Sequence, residues 1–296
     1  MNTGSPAGLD RRRAEWLLAG VVVARSTSYL FTKTGMETMG PFNLLALRFL
    51  PAFFLLAALF WRRLRTVTRP VLRRGAVLGA LFFLTLSAEL TGLRLTDSAT
   101  TSFLENTAVV FVPLMDAGLR RRPPRPAVLA GAGVTLLGIG LLTFRNGVPG
   151  WRGGEVWCLL AAVLYAAAIL TTDRFSHQAE PLTMGIVQVG FVGLFSLAAA
   201  FLLESPRLPA TGREWGLVLA LSLVCSAFGS TFQPMAQRGT TADRAGMFCA
   251  LNPLTAALLG RLFLHETLGP RGLLGAALVL AGMLLSAKWG RAGAST

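Results

Sequence analysis

Two arginines and two glutamates stand inside long apolar runs of this chain: Arg25, Arg48, Glu89 and Glu105. A charged side chain at the centre of a bilayer costs roughly 2.5 to 3.5 kcal/mol even on the mildest insertion scale. Four left unpaired would cost on the order of 10 kcal/mol, as much as the whole stability of a domain. Two positive and two negative charges balance, so the four are expected to face the protein interior and pair there. Two chemistries are open to such a set. Arg25 can hold a carboxylate or phosphate through a charge-assisted fork, and Glu89 or Glu105 can exchange a proton with substrate in each cycle. The alternative is a static ion-pair lock between helices, which is the preferred reading for Arg48. Arg94, five residues after Glu89, is a second possible partner for that carboxylate.

The remaining polar residues at membrane depth are neutral: Gln188, Gln233, Gln237 and Asn252. Buried amides need partners, which water or substrate in a cavity supplies; the alternative is interhelical hydrogen bonding, worth about 0.6 kcal/mol each. Tyr29 and Tyr165, the only tyrosines, each offer a ring and a hydroxyl, for binding or for ordinary packing. The candidate substrate- or proton-binding set is therefore these six with the four charges.

Other chemistries find no residues. The chain has no G-x-x-x-x-G-K loop and only two lysines, Lys33 and Lys288, so it has no nucleotide motor of its own. The two histidines, His177 and His265, are expected at opposite faces, which excludes a histidine-rich metal centre and argues against a histidine-based intramembrane hydrolase. Cys158, Cys225 and Cys249 fall within expected helices and have neither disulfide nor metal spacing. No cofactor is expected. No channel filter or charge ring is present. A membrane-embedded enzyme using Glu89 and Glu105 as acid and base, or a structural membrane protein, remains the alternative class.

The elements that must position these residues are membrane helices. Apolar residues are 53% of the chain and charged residues 14%, too little charge to cover a soluble protein of 296 residues. Ten apolar runs long enough to cross roughly 30 Å of hydrocarbon are expected at 15–33, 42–61, 75–93, 99–118, 127–144, 155–172, 182–203, 215–236, 245–263 and 272–289. The net charge of +14 does not point to nucleic acid, because the arginines cluster in loops rather than along one face. With a cytoplasmic N-terminus, 18 of the 28 basic residues fall on the cytoplasmic side, so both termini are expected there. All six tryptophans fall at expected span ends, as an aromatic belt requires. Arg11–Arg13 followed by an apolar run and Ala24-Arg25-Ser26 has the outline of a cleavable leader. Its removal would break the repeat described next, so it is read as the first span.

Residues 89–142 can be laid on 233–286 without a gap, at a constant offset of 144. Pro126-x-x-Leu129-x-Gly131-Ala132 falls on Pro270-x-x-Leu273-x-Gly275-Ala276. With other offsets Trp16 matches Trp157, Lys33 matches Arg174 and Arg48 matches Gln188, while at the offset of 144 Glu89 matches Gln233. The repeat is symmetric in shape and asymmetric in charge. Each half has five spans, and an odd number makes the second copy enter the membrane from the opposite side, with the site at the midplane between the halves. The expected fold is thus all-α integral membrane, ten transmembrane helices as two inverted five-helix repeats. A tail over 1–14 precedes the first repeat at 15–144, a loop over 145–150 leads to the second at 155–289, and a tail covers 290–296. Pro113 and Pro253 are expected to kink their helices, and the glycines of the fifth and tenth spans to allow close packing. Asp116 and Arg120 are spaced for an i,i+4 pair.

In its motifs the chain resembles the drug/metabolite transporter superfamily, in its EamA-type branch of ten-helix bacterial permeases. The residues carrying the resemblance are Ser26-Thr27-Ser28-Tyr29-Leu30-Phe31, Leu47-Arg48-Phe49, Val109-Val110-Phe111-Val112-Pro113-Leu114, Ala250-Leu251-Asn252-Pro253-Leu254 and His265-Glu266. It departs from the family pattern at Ala24-Arg25-Ser26 and at Arg120-Arg121-Arg122. The resemblance implies a secondary transporter in the inner membrane that exports amino acids, related metabolites or drugs. It implies a cavity lined mainly by spans 1, 3, 4, 6, 8 and 9, with spans 5 and 10 as scaffold. Alternating access of the two halves is the expected mechanism, with proton exchange as an added reading. The expected partners are a small-molecule substrate and the bilayer, and the protein is expected as a monomer or homodimer.

Overall fold

Helix ends fall where proline and capping acceptors place them. The computed structural model describes residues 11–121, 123–124, 126–145, 148–149, 153–176, 180–229, 251–266 and 268–290. Its helices are α1 (Arg11–Gly35), α2 (Pro41–Leu59), α3 (Trp61–Leu64), α4 (Arg69–Leu95), α5 (Ser98–Asn106), α6 (Ala108–Leu119), α7 (Pro126–Thr143), α8 (Gly154–Ser176), α9 (Pro181–Leu203), α10 (Gly212–Leu219), α11 (Leu251–Phe263) and α12 (Pro270–Gly290). Helices α2, α4 and α9 carry proline in their first two positions, where no backbone donor is lost. The start of α2 is capped from a distance: the Glu204 carboxylate accepts from Phe42 N at 3.0 Å and from Asn43 N at 2.9 Å.

Among the described residues, four helices are long and apolar enough to cross a membrane: Pro41–Leu59, Arg69–Leu95, Gly154–Phe175 and Leu182–Leu203. Two shorter apolar helices cover Val128–Leu142 and Pro270–Leu285. Helix α1 is 25 residues long but carries Arg25 in its middle. Trp16, Trp61, Trp157 and Trp215 are all exposed, as belt residues must be.

Two local features depart from uniform spans. The expected helix over 99–118 is two helices, broken at Thr107 rather than at Pro113, which sits inside α6. Around the break the bonds tighten to i→i−3: Thr107 N donates to Leu104 O at 3.1 Å and Val110 N to Thr107 O at 2.8 Å. Helix α10 runs on into a π-helical stretch over Ala220–Phe228. Between α7 and α8 the expected loop contains a minimal antiparallel pair, Phe144–Arg145 with Val148–Pro149.

Packing joins the two parts of the chain throughout. Helix α7 lies along α12, α2 along α9, and α4 against both α8 and α9. Helices α5 and α6 pack on α8, α5 on α11, and α1 on both α11 and the π-helical stretch, which also touches α2. The α7–α12 contact is made backbone to backbone. A Cβ on Gly138 would lie 2.6 Å from Val279 N, and one on Gly275 would lie 2.8 Å from Gly138 O. The largest apolar cluster follows from this pairing: Phe103, Leu104, Ile139, Leu142, Cys158, Val279 and Met283.

Candidate functional site

On α1, Arg25, Tyr29 and Lys33 are spaced i, i+4, i+8 and share one face; on α5, Ser98, Ser102 and Glu105 are spaced i, i+4, i+7. The two stripes run antiparallel and meet. The Tyr29 hydroxyl donates to Glu105 Oε2 and lies within reach of Ser102. Tyr29 is buried, and its ring packs with Leu93 and Ala256. Arg25, one turn further along the stripe, donates to Tyr165 and lies in the field of Glu105 and Tyr29. Its stem rests against Gly229, where an added Cβ would stand 3.1 Å from Arg25 Cγ. Although these neighbours surround it, Arg25 is exposed. Tyr165 is held edge-on against Phe82, ring centres 5.9 Å apart.

Arg48, on α2, is buried and spans two elements. Its Nε donates to Ser226 Oγ at 2.7 Å and its Nη1 to Ser28 Oγ at 2.8 Å, with Phe49 under the guanidinium at 5.1 Å. The π-helical stretch carries Ser226 to this position. Such wide turns recur at functional sites because they re-aim one side chain without ending the helix. Ser26 Oγ bonds Asn252 Oδ1 at 2.6 Å, tying α1 to α11. Glu89 is buried and shares its field with Glu105, Arg48 and Arg25, but it has no hydrogen-bonding partner among the described residues.

The structure thus brings the four charged residues together and shows polar contacts around them. The four share one electrostatic field: Glu89 faces Glu105, Arg48 and Arg25, and Glu105 faces Arg25 and Arg48. Serine hydroxyls accept from the Arg48 fork, and the Tyr29 phenol donates to Glu105. Ion pairs among the described residues include Lys33–Glu266, Arg63–Glu180, Arg207–Glu214 and the expected Asp116–Arg120 pair, towards helix ends. Arg94 does not pair with Glu89; it is exposed beside Pro41 and Phe42 in a cavity of about 480 Å³. Gln188 lies where α9 crosses α4, its carbonyl 3.2 Å from where a Cβ on Gly79 would be, and has no polar partner among the described residues. Gln233 and Gln237 lie outside the described residues. Sequence reasoning missed Ser28, Ser102 and Ser226. The available signals were the Ser26-Thr27-Ser28 cluster inside an apolar run and the Ser222/Ser226 spacing.

The sequence pattern of the EamA-like transporter family matches this chain twice, over residues 12–144 and 152–288. The chain belongs to the EamA-like transporter family. It is accordingly a multi-pass membrane transporter rather than an enzyme, with a lipid bilayer as its surroundings and a small molecule as its substrate. Two proteins of Archaeoglobus fulgidus, each described as an uncharacterized transporter, are 26% identical over 91% of this chain and 96% of theirs, and 24% identical over 95% and 88%. A protein known from a crystal structure shares the fold with TM-score 0.64 at 21% identity, covering 94% of this chain and 97% of its own.

Proposed function

We propose that the protein is a secondary transporter that moves small metabolites by alternating access, exporting amino acids, related metabolites or drugs across the inner membrane. The observation that carries this reading is an exposed arginine, Arg25, in the middle of a helix inside an apolar bundle, beside a carboxylate and two phenols from three other positions. A charge is kept at such a depth where it meets a ligand or water. The ten-span arrangement as two inverted repeats, at 15–144 and 155–289, is supported by the helix contacts, which keep their pattern when the halves are exchanged. Helix α4 packs on α8 and α9, while α10 with its π-helical extension packs on α1 and α2; α5 and α6 pack on α8, while α11 packs on α1. Both termini are placed in the cytoplasm by the excess of basic residues there. Proton exchange through Glu89 and Glu105 is motivated by their depth in the bundle and by their closeness to each other.

The test is efflux from cells loaded with a panel of amino acids, organic acids and cationic drugs, comparing the parent with Arg25→Ala. Selective loss of carboxylate-bearing solutes, in a variant present in the membrane at parent level, places the substrate at Arg25. Equal efflux by both proteins rejects that assignment. For proton exchange, Glu89→Gln and Glu105→Gln are compared as a function of pH. Normal transport with unchanged pH dependence in both removes the carboxylates from the mechanism.

A further inference from the structure

The stripe of polar residues between α1 and α5 is closed at one end. Beyond Tyr29, Lys33 Nζ donates to Glu266 Oε1 at 2.6 Å and to Thr96 O at 2.9 Å. The same carboxylate accepts from Ser98 N at 2.9 Å and from Ser98 Oγ at 3.1 Å. One junction therefore ties the end of α1, the α4–α5 turn and the segment after α11. It is well enclosed: the Glu266 side chain is 10% exposed and Ser98 is 0% exposed. The backbone is shaped to deliver it. His265 adopts a positive φ of 55°, unfavourable for a residue with a Cβ, and so turns Glu266 back over the end of α11. Glu266 N then closes on Gly260 O at 3.1 Å. Gly260 leaves space for this carboxylate: a Cβ there would lie 2.5 Å from Glu266 Oε2 and would displace it.

The sequence repeat makes this junction one-sided. At the offset of 144, Arg122 corresponds to Glu266 and Ala242 to Ser98, and at the offset of 141 that relates the first spans Arg174 corresponds to Lys33. Two arginines and an alanine cannot reproduce an ion pair and a hydroxyl contact. The stripe also differs at its two ends: Tyr29 and Ser102, next to the junction, are buried, whereas Arg25, away from it, is exposed.

We propose that Lys33, Glu266 and Ser98 form a gating latch. It closes the end of the transport path where α1 terminates and biases the resting protein towards opening at the other end. The inference rests on the transporter reading and deepens it, because release of the latch becomes the step by which the closed end opens. Lys33 and Glu266 are positioning residues for the gate and are not assigned to the substrate.

The test uses one reporter thiol, Ser102→Cys, in full-length protein whose Cys158, Cys225 and Cys249 are alanine. A membrane-impermeant thiol reagent is applied at the face where α1 ends. The latch predicts slow labelling in the parent and labelling about tenfold faster in both Glu266→Gln and Lys33→Met. That is the population shift expected when a charge-assisted contact is lost. Glu266→Gln keeps an acceptor for the Ser98 amide, and Lys33→Met leaves the α5 start untouched, so the pair does not depend on one variant folding. Parent-rate labelling in both, with unchanged melting temperature, overturns the latch while leaving the transport reading standing, since labelling needs no substrate. Faster labelling in both, in a protein that carries no solute of the panel, supports the gate and rejects the solute assignment.

Discussion

Arg48 uses the planar fork of its guanidinium to reach Ser28 and Ser226, hydroxyls on two different elements. Lysine cannot make two such contacts from fixed directions. Arg48→Lys is expected to lower stability by about 1 to 3 kcal/mol, the cost of leaving buried polar groups unsatisfied. A thermal melt in detergent reads this directly; an unshifted midpoint would show that the fork is dispensable. Tyr29→Phe removes the donor to Glu105, and transport is expected to fall while membrane abundance stays at parent level. Normal transport would mean the phenol only packs. At this scale the charges were legible because a charge in an apolar run is expensive wherever its partner lies. The serines were not. A hydroxyl in a helix bonds its own backbone at no cost, as Thr85 does with Leu81 O at 2.8 Å. Ser226 meets Arg48 only across 178 residues of chain.

Helices α7 and α12 hold together through glycine. The positions of Gly138, Gly275 and Gly282 leave no room for a Cβ against the opposing backbone. Gly138→Leu or Gly275→Val is expected to destabilise by about 1 to 3 kcal/mol through overpacking, or to reduce the amount of protein reaching the membrane. Gly133 and Gly140 face open space, so alanine at either is expected to leave the melting temperature unchanged. A second element-scale contact is the fork of Arg207 onto Glu214, at 2.6 and 2.9 Å, at the start of α10. The Arg207 guanidinium, helped by the Ala210 amide, holds the Glu214 carboxyl down at about 2. An unfolded glutamate titrates near about 4.3. The folded value is the lower one, so this contact stabilises the protein fully above the unfolded value and is lost as pH falls through it towards about 2. Arg207→Ala should therefore melt lower than the parent at neutral pH, with the difference shrinking in acid; a constant difference across that range would contradict the assignment. The four long apolar helices among the described residues were legible from apolar run length. The break at Thr107 and the π-helical stretch were not, because both follow from tertiary packing around α5 and α10. Pro113 pointed to a kink six residues away from the observed break, since a proline within a packed helix need not interrupt it.

The duplicated pattern was visible in sequence because spacing survives when side chains diverge: Gly138 and Gly282 keep the offset of 144, whereas Glu89 has become Gln233. On the proposed inverted-repeat arrangement, that asymmetry lets the two faces be treated differently. Its polar column is built from first-half residues Arg25, Tyr29, Arg48 and Glu105, and second-half residues Tyr165, Ser226 and Asn252 contribute hydroxyls and an amide. A site made by both halves changes its exposure when they move relative to each other. The direct measurement is counterflow in proteoliposomes: vesicles loaded with an unlabelled amino-acid mixture and diluted into the same mixture at tracer level with a radiolabel. The account predicts transient accumulation of label by the parent and none by Arg25→Ala reconstituted in equal amount. Accumulation at the parent rate by Arg25→Ala would contradict it.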